Sequence, residues 1–165
     1  MNTQERAGIL AGAEEAFFLA MMSGYAGSKN EGSTKTVSNN GCTKSVKFVH
    51  GLYLVDDTWH TNPNSDKSAG TTTISHEGIP VWWMCYGGQY TKETVAFLKR
   101  ALRETYAQKK FVGCRGPLYF RDGIMVYENG FDQSQSFEGF SGDEIVFNDS
   151  KGILGTHKYF GMALI

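Results

Sequence analysis

Residues 71–108 read TTTISHEGIPVWWMCYGGQYTKETVAFLKRALRETYAQ, a pattern that predicts a hairpin followed by a helix. Two runs rich in β-branched and aromatic residues, Thr71–Ser75 and Ile79–Tyr86, flank the turn His76–Gly78, as expected for paired strands. A helix is predicted at about 91–108, because apolar residues recur there every three or four positions. Strands and helices that follow one another in separate blocks are typical of the α+β class.

The strand Ile79–Tyr86 is apolar on both faces. Successive side chains of a strand point to opposite sides of the sheet, which places Ile79, Val81, Trp83 and Cys85 on one side and Pro80, Trp82, Met84 and Tyr86 on the other. A strand of this kind is covered on both sides or lies under a pocket. We therefore expect a pocket over Trp82, Trp83 and Tyr86.

The N-terminal part of the chain contains a helix and a polar segment. Apolar residues at helical spacing predict a helix over residues 1–23, and Gly24 stands where a left-handed C-terminal cap is wanted. Residues 27–43 are nearly all Gly, Ser, Thr, Asn and Lys. This composition predicts a flexible polar loop, which is either a lid or merely mobile. From 46 to 165 the chain is predicted as short strands separated by turns, with the helix at about 91–108 among them.

A length of 165 residues, close to about 150 per domain, predicts a single domain over residues 1–165. The predicted fold is α+β, one twisted antiparallel sheet with the two helices packed on one face. A repeat is also visible: Gly78 and Gly87 are spaced like Gly152 and Gly161, with an aromatic residue before the second glycine of each pair. This spacing predicts two similar hairpins from a duplicated unit.

Charge and cysteine content exclude several kinds of partner. Sixteen Lys and Arg against 17 Asp and Glu give a formal net charge of −1, without the basic footprint of a protein that binds nucleic acid directly. Three widely spaced cysteines, Cys42, Cys85 and Cys114, do not form the paired spacings of a zinc site and suit a reducing compartment. No run approaches the about 20 apolar residues that cross a membrane. We therefore expect a cytoplasmic protein with no metal, no cofactor, no membrane and no direct nucleic-acid binding.

Several short motifs, taken in order and spacing, resemble the bacterial DUF5680 family, a domain of unknown function. They are Gly24–Gly27, Leu52–Trp59, Pro80–Gly87, Phe97–Leu102 and Arg115–Pro117. The resemblance covers roughly residues 17–161 and implies a domain that occurs alone or attached to a helix-turn-helix domain. No helical segment is left for a helix-turn-helix, so direct reading of DNA is not implied for this chain.

The chain departs from the family pattern in its first hairpin. There Gly70 is followed by Thr71 and Thr72, where the family usually has acidic residues, whereas the corresponding Gly142–Ile145 keeps Asp143 and Glu144. If paired carboxylates formed a metal or acid–base site in the family, half of that site is missing from this chain.

An acidic residue lies beside aromatic residues in the predicted pocket. Asp57 and Trp59 stand near the predicted end of one strand, and Trp82 and Tyr86 share a face of another. An acidic group among aromatic rings can bind a cation or a sugar-like ligand. The alternative is that Asp57 caps a turn and the aromatic residues fill the core.

Arg115 has rigid neighbours, since it stands in the sequence Gly113-Cys114-Arg115-Gly116-Pro117. Its guanidinium could bind a carboxylate or phosphate of a ligand as a fork. We expect instead a structural ion pair with Glu144 or Asp143. A dyad of Cys85 or Cys114 with His157 is a further alternative to a buried, inert cysteine.

Three function classes follow from these observations. The favoured one is a non-catalytic small-ligand-binding or sensory module, with candidate binding residues Asp57, Trp59, Trp82, Trp83, Tyr86, Arg115 and Glu144. The second is a protein–protein interaction module that acts as a homodimer. The third is a small hydrolase or transferase that uses Asp57, Glu144 and Arg115, and it ranks last because the sequence has no strong nucleophile, metal or phosphate motif.

Overall fold

A computed structural model describes residues 1–27 and 32–165. In chain order the elements are α1 (Thr3–Ser23), β1 (Ser33–Val37), β2 (Thr43–His50), β3 (Tyr53–Asn62), β4 (Ser65–His76), β5 (Ile79–Tyr90), a 3₁₀ turn (Lys92–Thr94), α2 (Val95–Tyr106), β6 (Tyr119–Asp122), β7 (Met125–Asn129), β8 (Gly139–Asn148) and β9 (Gly152–Ala163). Among these described residues, no helix is long and apolar enough to cross a membrane.

The strands form one open antiparallel sheet of nine strands in the order β1-β2-β3-β4-β5-β9-β8-β7-β6. The helix α1 packs across β2, β3, β4 and β5, and α2 packs beside it and against β7. The α+β prediction, with one antiparallel sheet and two helices on one face, is confirmed.

Eight of the nine strands form two four-stranded meanders, β2–β5 and β6–β9, which meet where β5 pairs with β9, and β1 is added at the edge beside β2. The two-residue turn between the first two strands of each meander begins with a left-handed glycine, Gly51 (φ 57°) in one and Gly123 (φ 60°) in the other. A register shift also recurs between the last two strands of each meander. The two halves therefore share one architecture, in agreement with the predicted duplication.

The structure and the glycine spacing match the residues of the two halves in slightly different ways, and the two matches differ by one position. That spacing matches Tyr86 with Phe160, whereas Tyr86 lies opposite Tyr159 in the ladder between β5 and β9. The reason is that Gly78 lies in the turn before β5, whereas Gly152 is the first residue of β9. The turn before β9 is longer than the turn before β5, which shifts the correspondence.

The core lies between the sheet and the helices. Phe17 of α1 packs against Trp82 of β5 and Tyr106 of α2, with ring centroids 5.6 and 5.9 Å apart. Trp82 also stacks on Phe137 at 4.5 Å, and its indole Nε1 donates a hydrogen bond to the Phe137 carbonyl at 2.8 Å. Trp82 is fully buried and joins α1 to the second half of the sheet, where it also stacks on Phe140.

Part of the predicted loop 27–43 is a strand. Ser33–Val37 forms β1, which pairs with β2 at the edge of the sheet, while residues 28–31 of that prediction lie outside the described part of the chain. Four of the five residues of β1 are exposed, so the strand has no pattern of buried positions from which the sequence could reveal it. Polar and charged side chains are common on edge strands because they discourage further pairing.

Two helix boundaries differ from the sequence predictions. Gly24 ends α1 in a right-handed conformation (φ −100°), and a Cβ there would meet the Val46 side chain at 2.5 Å, so the glycine provides space rather than a left-handed cap. The predicted helix at 91–108 is a 3₁₀ turn (Lys92–Thr94) followed by α2 (Val95–Tyr106), so it begins and ends within the predicted range.

The connection between β3 and β4 is much shorter than the composition of its residues suggests. Only Pro63 and Asn64 lie outside the strands, because β3 continues to Asn62 and β4 starts at Ser65. The extended ends of these two strands reach beyond the helices and form one wall of the cavity described below.

Candidate functional site

A cavity of about 520 Å³ lies between the first half of the sheet and the two helices. We call it the Asp57 cavity. Its inner wall comes from α1, β3, β4, β5, α2, the segment after α2 and β9, through Phe17, Met21, Asp57, Thr72, Met84, Tyr86, Tyr90, Tyr106, Cys114, Arg115 and His157. Its mouth comes from β1, β2, the ends of β3 and β4, the 3₁₀ turn and α2, through Lys35, Lys44, Trp59, Lys67, Lys92 and Lys99 among others.

Asp57 is the buried acid of this cavity. It lies in the middle of β3, not at the end of a strand, so the alternative that it caps a turn is wrong. The hydroxyls of Thr72 and Tyr86 both donate to its Oδ1 atom, each at 2.8 Å. Burial raises the pKa of Asp57, although these two hydroxyls and Arg115 favour its ionised form. In the part of the chain that the structure describes, its Oδ2 atom has no hydrogen-bond partner.

The second half of the sheet repeats this arrangement with a different residue. Tyr159 donates to Oδ1 of Asn129 at 2.6 Å, as Tyr86 does to Asp57. Asn129 lies opposite Glu144 on β8, just as Asp57 lies opposite Thr72 on β4.

The segment after α2 fills the space beside Asn129. The Asn129 Nδ2 group donates to the carbonyl oxygens of Val112 and Gly116 at 3.2 and 2.9 Å. A Cβ at Gly113 would meet the Tyr159 ring at 2.7 Å, which shows how closely this segment packs on the sheet. The same position in the first half is therefore open where the second half is filled.

Arg115 forms the predicted ion pair with Glu144 at the floor of the cavity. Its Nε donates to Glu144 Oε2 at 3.0 Å, and its Nη2 makes a second, short bond to Oε1. The hydroxyls of Tyr90 and Tyr127 each donate to the same carboxylate at 2.6 Å. Both charged side chains are buried.

The paired charges keep each other ionised. Burial opposes the charge on Glu144, but Arg115 and the two tyrosine hydroxyls hold the pKa of Glu144 below its ordinary value. Burial likewise opposes the charge on Arg115, and Glu144 outweighs it and raises the pKa of Arg115. The Arg115 guanidinium also lies 5.6 Å from the centroid of the Tyr86 ring, so the pair contacts the residue that binds Asp57.

His157 lies at the cavity wall beside Tyr90, with ring centroids 4.3 Å apart. Among residues 1–27 and 32–165, its buried Nδ1 atom has no hydrogen-bond partner, and Nε2 is 3.5 Å from the Ser68 hydroxyl. Burial and the Arg115 charge lower the pKa of His157 to about 4. The imidazole is therefore neutral at physiological pH.

An aromatic pair stands between the deep end and the mouth. Trp59 lies two residues beyond Asp57 on the same face of β3, and its ring meets Tyr25 edge-to-face at 5.9 Å. The Lys99 Nζ atom lies 5.0 Å from the centroid of the Tyr25 ring. From its deep end to its mouth, the cavity is therefore lined by a buried acid, then aromatic rings, then lysine side chains.

The predicted site residues divide into three groups. Asp57, Trp59, Tyr86 and Arg115 line the cavity, and Glu144 binds Arg115 from behind. Trp82 is in the core, and Trp83 lies on the outer face of the sheet beside Phe160. The predicted pocket over both tryptophans is thus wrong, because one tryptophan fills the core and the other faces away from the helices.

Several cavity residues were missed by the sequence analysis. They are Tyr25, Lys35, Lys44, Thr72, Tyr90 and Lys99. Thr72 can be identified as a cavity residue only when β3 and β4 are in register. The three lysines lie on three different elements, β1, β2 and α2. The available signal for Thr72 was its correspondence with Glu144, because the two halves carry different residues at this position.

Cys114 supplies a thiol to the wall of this cavity. Burial raises the pKa of the Cys114 thiol well above its ordinary value, which disfavours the reactive thiolate. Within residues 1–27 and 32–165, no group of three His, Cys, Asp or Glu side chains could hold a metal ion.

Comparison with known proteins gives a family match without a characterised relative. The model of DUF5680, a domain of unknown function, matches residues 64–163. No curated protein and no solved structure matches the chain. The matched range contains Tyr86, Arg115 and Glu144 and begins after the strand that carries Asp57 and Trp59.

Proposed function

The chain belongs to the DUF5680 family, and we propose that this member is a non-catalytic module that binds a small molecule in the Asp57 cavity. The difference between the two halves of the sheet carries the proposal. In the second half, two backbone carbonyls occupy the amide of Asn129. In the first half, Asp57 holds the same place beside an open cavity, and its Oδ2 atom has no partner within the described residues.

The size and lining of the cavity support a ligand of ordinary metabolite size. A volume of about 520 Å³ falls within the roughly 300–1,000 Å³ of known small-molecule sites. Apolar side chains such as Phe17, Met21 and Met84 provide buried contact area, while Asp57 and Arg115 provide polar groups that orient a ligand. This combination is typical of binding pockets.

The hydrogen bonding and protonation of the polar groups favour ligand binding without a catalysed reaction. Glu144 is already bound by Arg115, Tyr90 and Tyr127, so it is not free to move a proton. The Cys114 thiol stays protonated because of its burial. These groups are arranged to give a fixed, charged floor rather than a reactive centre.

Titration with the fluorescent probe N-phenyl-1-naphthylamine tests the proposal. We expect enhanced fluorescence with the intact protein and a large loss of binding in Ser68→Phe, which places a ring on the cavity wall. Thr71→Phe is the matched control, since Thr71 is on the same strand and faces the other side of the sheet. Equal binding by both variants, with thermal melting showing that both are folded, would rule out the Asp57 cavity as the site.

A further inference from the structure

Three lysines from three different elements converge on the mouth of the Asp57 cavity. Lys35 comes from β1, Lys44 from β2 and Lys99 from α2, and all three line the cavity. Burial lowers the pKa of Lys99, and the nearby charges of Lys35 and Lys44 lower it further. The Lys99 ammonium is therefore close enough to those of Lys35 and Lys44 to be repelled by both.

No carboxylate of the described residues lies within ion-pair distance of these three lysines, although Asp66 lines the same cavity. Other lysines of the chain make ion pairs, such as Lys47 with Asp56 at 3.2 Å. Lys35, Lys44 and Lys99 make no ion pair with any residue in the ranges 1–27 and 32–165. In a chain with a formal net charge of −1, unpaired cations at one opening create a local positive potential that attracts anions.

Aromatic rings lie directly inside this group of cations. Lys99 stands over the Tyr25 ring, Tyr25 meets Trp59, and Lys44 lies opposite Trp59 in the ladder between β2 and β3. A planar apolar group can pack against these rings, and an anionic substituent on it would then lie among the lysines.

We propose that the Asp57 cavity binds an aromatic anion, whose ring packs against Tyr25 and Trp59 and whose carboxylate, sulfonate or phosphate group is held by Lys35, Lys44 and Lys99. This inference rests on the proposed function and specifies its ligand class. The anionic group stays at the mouth, where water still reaches it, so the desolvation cost is smaller than at the buried floor.

Two probes that differ by one sulfonate group test this inference. 8-Anilinonaphthalene-1-sulfonate has the same rings and N–H group as N-phenyl-1-naphthylamine, with a sulfonate added. At low ionic strength we expect the sulfonate to bind more tightly by about fivefold. The difference should shrink at about 1 M salt, where the screening length falls to about 3 Å.

Matched lysine variants locate the anionic group. Lys44→Gln and Lys99→Gln should each weaken the sulfonate probe by roughly threefold and leave the uncharged probe unchanged. Lys47→Gln, on the same strand as Lys44 but on its other face, should change neither. Equal affinity for the two probes, or an equal loss in Lys47→Gln, would overturn the anion inference while leaving the cavity proposal in place. Failure of both probes to bind would overturn both.

Discussion

Tyr86 and Tyr159 lie opposite each other at the centre of the sheet, and each donates a hydrogen bond to the corresponding residue of its own half. The acceptor is Asp57 in the first half and Asn129 in the second. One tyrosine therefore binds an acid at an open cavity, and the other binds an amide whose second group is occupied by the protein backbone. The difference between Asp57 and Asn129 therefore coincides with the difference between an open site and one filled by the segment after α2.

Exchanging these two residues should affect stability in opposite directions. Asp57→Asn keeps the acceptor for Thr72 and Tyr86 and removes a buried acid, so it should raise the free energy of unfolding at neutral pH. Asn129→Asp places a carboxylate against two carbonyl oxygens and should lower it by about 1–3 kcal/mol. Urea denaturation of both variants provides the measurement, and a loss of equal size in both would contradict the assigned roles.

The benefit of Asp57→Asn should depend on pH. Burial raises the pKa of Asp57 in the folded protein, so the folded state binds this proton more tightly than the unfolded chain does. The wild type should therefore lose stability relative to the variant as pH rises above about 3.9, the value for an unfolded Asp. A difference between the two proteins that shrinks as pH rises would contradict this sign.

The two adjacent tryptophans should differ in their contribution to stability. Trp82 is fully buried among aromatic rings, so Trp82→Ala should cost about 3–5 kcal/mol. Trp83 is partly exposed on the outer face, and Trp83→Ala should cost clearly less. Urea melts that give equal losses would refute this assignment of faces.

Arg115 and Glu144 should be strongly coupled. Arg115→Met or Glu144→Met alone leaves one buried charge without its partner and should cost about 3–5 kcal/mol. The double variant should be less damaging than the sum, with a coupling energy of about 0.5–3 kcal/mol. The exposed pair Arg121 and Asp149 is the control and should show weaker coupling. Additive losses at Arg115 and Glu144 would exclude the structural role of the pair.

His157 should make the fold sensitive to acid. Its folded pKa of about 4 lies below the about 6.5 of an unfolded histidine, so the unfolded chain binds the proton first. Stability is complete above about pH 6.5 and should fall by about 3 kcal/mol between pH 6.5 and 4. His157→Phe, which keeps a ring against Tyr90, should reduce this loss, and exposed His50→Phe should not. Identical pH profiles for all three proteins would contradict the prediction.

Local signals determine what the sequence alone could predict. The bounds of α1 follow from apolar spacing, and the hairpin at His76–Gly78 follows from its turn residues and flanking strands. The Arg115–Glu144 pair could be predicted from the sequence because a charged residue held by glycine and proline neighbours needs a partner. These features depend on neighbours in the chain or on a simple charge requirement.

The remaining features depend on how the strands come together. The bond between Tyr86 and Asp57 requires three strands in register, which no local pattern reveals. Strand β1 was not predicted because most of its side chains are exposed. The convergence of Lys35 and Lys44 with Lys99 could therefore not be predicted either. Alternation predicted that Trp82 and Trp83 face opposite ways, but only the packing of the helices decides which of them is buried.

The three tryptophans of the chain allow a direct test of the central claim, that a small molecule binds in the Asp57 cavity. Their indole N–H groups give separate signals in a proton–nitrogen correlation spectrum, and only Trp59 lines the cavity. On addition of N-phenyl-1-naphthylamine, we predict a large shift of the Trp59 signal and little change for Trp82 and Trp83. An unchanged Trp59 signal at saturating probe, or a largest shift at Trp83, would contradict the claim.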